Sequence, residues 1–391
     1  MFLTSVPIVE FSEPWGESFA QRLTRLSEGT QHVAYFYPQP DTSTFRYRVL
    51  NMIEALATTS VSVGASWFSM ADLAYIDEIV DRADIIVICR CKYSVGFALM
   101  VMRARAQGKR VLFDIDDLVV DDRYVHLILN TLDQPTRESD LDFWFSQLGR
   151  HGAMMRVCDR VIVTNAFLAE RVTAFCGLPT AVVPNFMNRA QLDHSASILA
   201  DKCASHFARD GRIHLGYFSG TATHRRDFAI IADAVSGLLE DDPRAVLRIV
   251  GYLEPDDLVR RFGDRIEVFP FQNVLNLQRL IGEVEINLVP LQDNLFTHCK
   301  SELKVFEAAA VGTISIASPG FTLHRAIGDG AMGFVSPAHR WRETLSLMMD
   351  RLKTYPDMAM RAAEAALQCY VPEAQGPAII HALFGEDDAC S

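Results

Sequence analysis

No run of the roughly 18 to 20 consecutive apolar residues that a spanning helix needs occurs in the 391-residue chain. The opening MFLTSVPIVEFSEPWGES has no basic segment followed by a long apolar one, so no secretory leader is expected. A cytoplasmic protein is the resulting expectation. CxxC pairs and His partners at zinc spacing are also missing. The eight cysteines (Cys89, Cys91, Cys158, Cys176, Cys203, Cys299, Cys369 and Cys390) are scattered, and read as reduced, mostly buried thiols. Basic charge is in short supply, with 37 Lys and Arg against 49 Asp and Glu and a net charge of −12. General nucleic-acid binding draws its affinity from neutralised phosphates, so nucleic acid is not expected as a partner. Repeats and low-complexity tracts are absent as well.

What is present is apolar material for packed cores, 49% of residues against 22% charged. Short hydrophobic runs recur between amphipathic stretches: HVAYFY (32–37), DIIVIC (84–89), RVLFD (110–114) and RVIVTN (160–165). Such nearly continuous runs belong to strands buried on both faces, as in a parallel sheet covered by helices. A polar, weakly patterned stretch at about 187–212 interrupts the series. It restarts with IHLGYF (213–218), AVLRIV (245–250), RIEVFP (265–270), EINLVP (285–290) and TISIAS (313–318). This pattern predicts an α/β protein with two Rossmann-like domains and a cleft between them. The expected boundaries are 1–190 for the first domain, 191–211 for a linker, 212–370 for the second domain, and 371–391 for a tail returning toward the first. Ligands of open α/β sheets bind beyond the carboxyl ends of the strands, so the loops there are where chemistry is sought.

Four such segments stand out. YPQPDTSTFRYRVLNMIEAL places Arg46 and Arg48 at the first turn of a helix, where cations oppose the helix dipole unless an anion is near. The alternative is a surface helix capped by two arginines. LFDIDDLVVDDRY sets Asp114, Asp116 and Asp117 at a strand end, a costly cluster without counter-charge or use. Three readings compete there: the nucleophile of a HAD-type, Mg²⁺-dependent phosphatase, the metal-holding DxD of a GT-A glycosyltransferase, and a GT-B site in which Asp114 alone faces the cleft. The phosphatase pattern wants Thr or Val four residues after the nucleophile, and Leu118 stands there. In GYFSGTATHRRDFAIIADAV, Ser219 and Gly220 let backbone approach a ligand while Arg225 and Arg226 offer bidentate donors to phosphate. A solvated basic turn would explain the same residues. In HCKSELKVFEAAAVGTISIASP, a helix beginning near Ser301 puts Lys300, Lys304 and Glu307 at i, i+4 and i+7 on one face. Two lysines against the dipole suit a diphosphate, and Glu307 one turn on can accept from sugar hydroxyls; an ordinary Lys/Glu-paired surface helix is the alternative.

With these residues in view, the chain resembles the family 4 retaining glycosyltransferases of GT-B fold. The similarity covers most of the chain and is best over 213–318. VTNAFLAERV and VVPNFMN, with Asn185, look like the segment before that family's interdomain linker. IVGYLEP resembles its strand and glycine turn near the nucleotide, and FEAAAVGTISIAS resembles the helix and strand after its acidic motif. The resemblance implies that Arg226 pairs with the donor diphosphate, that Glu307 is the second glutamate of the paired-glutamate motif and holds the ribose, and that Asp114 stands where many members have a histidine. It departs at Cys299, which occupies the first glutamate's place eight residues before Glu307. It departs also at DTSTFRYR, which replaces a Gly-rich loop, and near Gly220, where the first basic residue of the diphosphate pair is replaced and Lys304 compensates.

The expectation is therefore transfer, with retention and without metal or cofactor, of a sugar from a UDP, GDP or dTDP donor to a glycan or lipid-linked acceptor, in surface polysaccharide or glycoconjugate synthesis. Asp114, Arg226 and Lys304 are the expected catalytic group. Ser219, Gly220, Arg225, Arg226, Lys300, Lys304 and Glu307 would hold the donor, and Arg46 and Arg48 the acceptor or a phosphate. A peripheral membrane contact through the acceptor is a further expectation. Non-catalytic binding of a nucleotide-sugar is the alternative that Cys299 leaves open, beside the phosphatase.

Overall fold

The computed structural model describes residues 1–328 and 330–385. Cys390 and the end of the 371–391 segment lie outside the described residues. Among the described residues, twelve strands form two parallel sheets. The first contains β1 (Gln31–Tyr37), β2 (Val63–Ser69), β3 (Ile85–Cys89), β4 (Arg110–Ile115), β5 (Arg160–Val163) and β6 (Thr180–Val182), in the order β2-β1-β3-β4-β5-β6. The second contains β7 (Ile213–Ser219), β8 (Ala245–Gly251), β9 (Ile266–Phe269), β10 (Ile286–Val289), β11 (Ile314–Ala317) and β12 (Gly333–Val335), in the order β12-β11-β10-β7-β8-β9. Strand order reverses between β1 and β3 in one sheet and between β7 and β10 in the other. At such switch points the loops leave in opposite directions and open a crevice.

β3, β4, β5, β7 and β10 are buried almost throughout, which explains their continuous hydrophobicity. β2, β6 and β12 have no counterpart among the runs read from sequence. All three are edge strands, and β6 and β12 have only three residues each. In β6 and β12 too few positions remain to make a pattern, and in β2 the small residues Gly64, Ala65 and Ser66 interrupt the hydrophobic run.

The stretch 191–211, read as a linker, is instead helical for most of its length, within the helix Arg189–Ala204. Asn188 caps it by accepting from the Gln191 amide. Its weak amphipathicity reflects the polar residues it buries, Gln191, Ser195 and Lys202. The Lys202 ammonium donates to the carbonyls of Val311 (2.8 Å) and Gly312 (3.2 Å), closing the end of the helix Leu303–Ala310. The boundary at residue 1 also shifts, because residues 1–9 run along the second domain. Phe2 N donates to Glu283 O and Val9 N to Asn276 Oδ1, both at 2.9 Å. Helix Pro372–Phe384 packs on helix Asn51–Ala57 of the first domain. Its last carbonyls accept from Arg160 and Arg110 at 3.1 Å, which places two cations at the negative end of the helix dipole.

Polar bridges tie the domains together around the cleft. Asn165 donates to Cys299 O (2.8 Å), Asn185 to Ser301 Oγ (3.0 Å) and Gln292 to Thr131 O (2.9 Å). Phe296 and Cys299, though they follow β10, pack into the core of the first domain.

Candidate functional site

A cavity of about 490 Å³ lies between the carboxyl ends of the two sheets. This volume falls within the range of small-molecule sites. One wall comes from the segments after β1, β3 and β4: Thr42 to Thr44, Arg46, Tyr47, Arg90, Asp116 and Asp117. The other comes from the segments after β7, β8 and β9 and from the helix Leu303–Ala310, which contribute Ser219, Gly220, Gly251, Lys304 and Glu307 among others.

Backbone approach is built into the floor. A Cβ on Gly220 would meet nothing within 4 Å. Gly251, by contrast, has φ +104° and a Cβ there would stand 1.9 Å from Ser219 O. Only glycine accepts that conformation and that contact, so the ends of β7 and β8 stay close together beneath the cavity. Above them, buried amides hold the helix Leu303–Ala310 by its carbonyls: Asn287 donates to Lys304 O (2.9 Å) and Gln278 to Glu307 O (2.6 Å).

The charges on the wall are mostly paired. Arg90 reaches Asp116 (3.1 Å) and Thr44 Oγ1 (2.9 Å), and Asp116 also accepts from Thr44 (2.8 Å). Arg46 pairs with Glu13, its Nη1 having no hydrogen bond among the described residues, and Lys300 lies 3.5 Å from Asp117. Lys304 differs. Among the described residues its ammonium has neither ion pair nor hydrogen bond, only the face of Tyr217 at 5.6 Å. Burial pulls its pKa down to about 8. His224 also lines the cavity, with Nδ1 2.8 Å from Asp227. Burial first, and the Lys304 and Lys300 charges against the pull of Asp227, hold the imidazole below its usual pKa and so toward neutrality. Tyr47 Oη and Gln191 Nε2 (2.9 Å) both donate to Glu307 Oε1, while burial pushes that carboxyl upward.

Lys300, Lys304, Glu307, Ser219, Gly220 and Arg46 thus all meet at the cavity. The other candidates do not. Asp114 and Arg48 are completely buried and form a bidentate pair, both bonds 2.8 Å, with Arg48 also donating to Val183 O (2.7 Å). Neither reaches the cavity wall, which corrects the expectation that Asp114 faces the cleft and that Arg48 meets a ligand. The phosphatase reading loses its nucleophile to the same pair. Arg226 is exposed and bonded across the domain boundary to Asp133 (2.8 Å) and to Asn130, and Arg225 is exposed on the same short helix; neither lines the cavity. Cys299 is buried in the first domain's core, where desolvation pushes its thiol up to about 12.

Thr44, Tyr47, Arg90, Asp116, Asp117 and His224 are wall residues absent from the sequence-based site. Arg90 follows β3 directly, with φ +51°, an uncommon conformation for a residue with a side chain. A polar residue at the end of a wholly apolar run was the available signal.

No family model and no curated protein matches the sequence. The fold has many counterparts. Sucrose-phosphate synthase from Thermosynechococcus elongatus superposes with a TM-score of 0.58 at 16% identity, over 89% of this chain and 97% of its own. WaaG, a glycosyltransferase involved in lipopolysaccharide biosynthesis, gives 0.59 at 12% identity over 90% and 100%. Anabaena HepE, solved in complex with UDP, gives 0.58 at 12% over 90% and 99%. The fold is GT-B. Within this GT-B frame the cavity occupies the interdomain cleft, and the unpaired ammonium of Lys304 stands on the wall of the second domain.

Proposed function

We propose that this chain is a glycosyltransferase that moves a sugar from a nucleotide diphosphate donor to a glycan or lipid-linked acceptor. The observation that carries the reading is Lys304. Among the described residues every other cation on the wall has a carboxylate partner, and a half-buried ammonium left without one is suited to an arriving anion. A diphosphate above Gly220 and Gly251 would complete it, with Lys300 released from Asp117 as a second donor. These two cations meet the charge that develops on the leaving nucleotide diphosphate, which is the electrostatic part of catalysis. The reading includes no metal, because the lysines supply that charge. Anabaena HepE has also been solved with UDP-glucose, and this favours a UDP-type donor here. Glu307 would hold the ribose, and the wall around Arg90 and Asp116 would face the acceptor. Retention of configuration follows the family 4 resemblance, and work in the cytoplasm and a place in surface glycan synthesis complete the reading. Asp114 takes no direct part; it holds Arg48 and through it the turn that carries Arg46 and Tyr47.

Binding without transfer is the rival that Cys299 favours, since no carboxylate stands where the family's first glutamate would act. Release of nucleoside diphosphate from a panel of nucleotide-sugars separates the two.

Calorimetry tests the site itself. UDP or GDP should bind more tightly than the monophosphate, and Lys304→Ala should cost about 1.5 to 3 kcal/mol of that affinity, the size of a hydrogen bond to a charged group. With a pKa of about 8 the lysine is partly neutral at pH 8, and a bound anion favours the charged form. Diphosphate binding at pH 8 should therefore take up protons in the wild type and not in Lys304→Ala, and affinity should fall as pH rises through 8. Equal affinity in both proteins, with no difference in proton uptake, would return Lys304 to an ordinary helix surface.

A further inference from the structure

Glu307 belongs to the second domain, but its carboxylate is held from outside its own sheet. Tyr47 Oη, from the segment after β1 of the first domain, donates to Oε1, and Gln191 Nε2 shares the same oxygen at 2.9 Å. Oε2 takes no hydrogen bond among the described residues, and Glu307 lines the cavity. With one oxygen fixed by two donors, the other has a single orientation to offer a ligand.

The local structure around Tyr47 is unusual in the same direction. Residues Arg46–Leu50 form a π-helical turn that runs into helix Asn51–Ala57. Such turns carry an extra residue and re-aim the side chains before it. Here Arg46 and Tyr47 face the cavity while Arg48 turns inward to Asp114, which anchors the turn to β4. Phe45 locks its start against Trp67 and Trp15, ring centroids 5.2 and 5.6 Å away. Tyr47 is itself buried. Its hydroxyl is thus delivered by a rigid element of one domain to a carboxylate of the other.

We infer that Tyr47 is a positioning residue for the donor's ribose: it orients Glu307 across the closed cleft so that the free carboxylate oxygen meets the ribose hydroxyls. This deepens the glycosyltransferase reading and rests on it. The site so built recognises a ribonucleoside diphosphate and discriminates against a 2′-deoxyribonucleoside diphosphate, because a lost hydroxyl leaves Oε2 desolvated and unpaired. It also makes ribose recognition depend on domain closure, since Tyr47 reaches Glu307 only when the two walls are together.

Tyr47→Phe removes the hydroxyl alone, keeps the ring in its packing and leaves Oε1 paired with Gln191. Calorimetry of the full chain with UDP, GDP and the 2′-deoxy form of each should show a ribose preference of about tenfold in the wild type, the effect of one hydrogen bond to a charged group. In Tyr47→Phe that preference should fall to about twofold or less, mostly through weaker binding of the ribonucleotides. Glu307→Gln should lose it with Tyr47 still in place. A wild type that prefers ribose, beside a Tyr47→Phe protein with the same preference, overturns the role of Tyr47 and leaves the donor site standing. So does a wild type that binds UDP and dUDP alike. A Glu307→Gln protein that keeps the wild-type ratio overturns the assignment even if Tyr47→Phe does not fold. A wild type that binds neither UDP nor GDP removes the donor site and this inference together.

Discussion

Arg48 and Asp114 show how much the meaning of a charged residue depends on its partner. Both are wholly desolvated, and each is the other's main compensation. Removing one member of such a pair leaves a buried charge and typically costs about 3 to 5 kcal/mol. Asp114→Asn should therefore lower stability by about that amount in urea titration, while the folded fraction binds nucleoside diphosphate with wild-type affinity. Unchanged stability with abolished transfer would restore a direct role for Asp114. Lys304 is the opposite case. Its place one turn before Glu307 on a helix was legible from local spacing, while Lys300, expected on the same helix, lies in the turn before it, since the helix starts at Leu303. The exchange of partners that fixes Asp114 spans 66 residues, and no local pattern contains it.

At the level of elements, the floor of the cavity is one strand pair. β7 and β8 run in register to Ser219 opposite Gly251, and there the carbonyl of one fills the space where the other would carry a side chain. Gly251→Ala adds both a clash and a disfavoured positive φ, so it should destabilise by more than about 1 kcal/mol. It should also weaken diphosphate binding, because the clash is relieved by spreading the strand ends under the ligand. A Gly251→Ala protein with wild-type melting temperature and affinity would show that this floor is not what shapes the site. The helix Arg189–Ala204 went unread for a related reason. Its inward face carries Gln191, Ser195 and Lys202, of which Gln191 donates to Glu307 and Lys202 to the end of another helix. A helix that buries polar groups against specific partners has no apolar stripe to reveal it.

Across the whole molecule, the chain passes between the domains after residue 9, near Met187 and again near Tyr370, and side-chain bridges join the same two bodies. Arg226 is one of these bridges. With Arg226 and Asp133 both well exposed, 44% and 38%, the pair is screened by water and is worth about 1 kcal/mol at most. Arg226→Ala should thus shift stability only slightly and leave diphosphate affinity unchanged by calorimetry. A loss of affinity of about tenfold, 1.4 kcal/mol, would bring Arg226 back to the donor site, through a closure in which it changes partners. No helix among the described residues is long and apolar enough to cross a membrane.

The sequence alone determined the two α/β halves, because buried parallel strands must be apolar throughout and that requirement is written residue by residue in runs such as Ile85–Cys89 and Ile213–Ser219. It also placed Lys304 and Glu307 on one helix face, although Lys300, expected on the same face, precedes the helix, which begins at Leu303. Tertiary structure decided which charges are free and which are spent. Arg48 finds Asp114, Arg226 finds Asp133, Tyr47 and Gln191 find Glu307, and Lys304 is left alone at the cavity. A charge is neutralised by whatever lies within a few ångströms of it, and that neighbourhood comes into being only when segments far apart in sequence fold together.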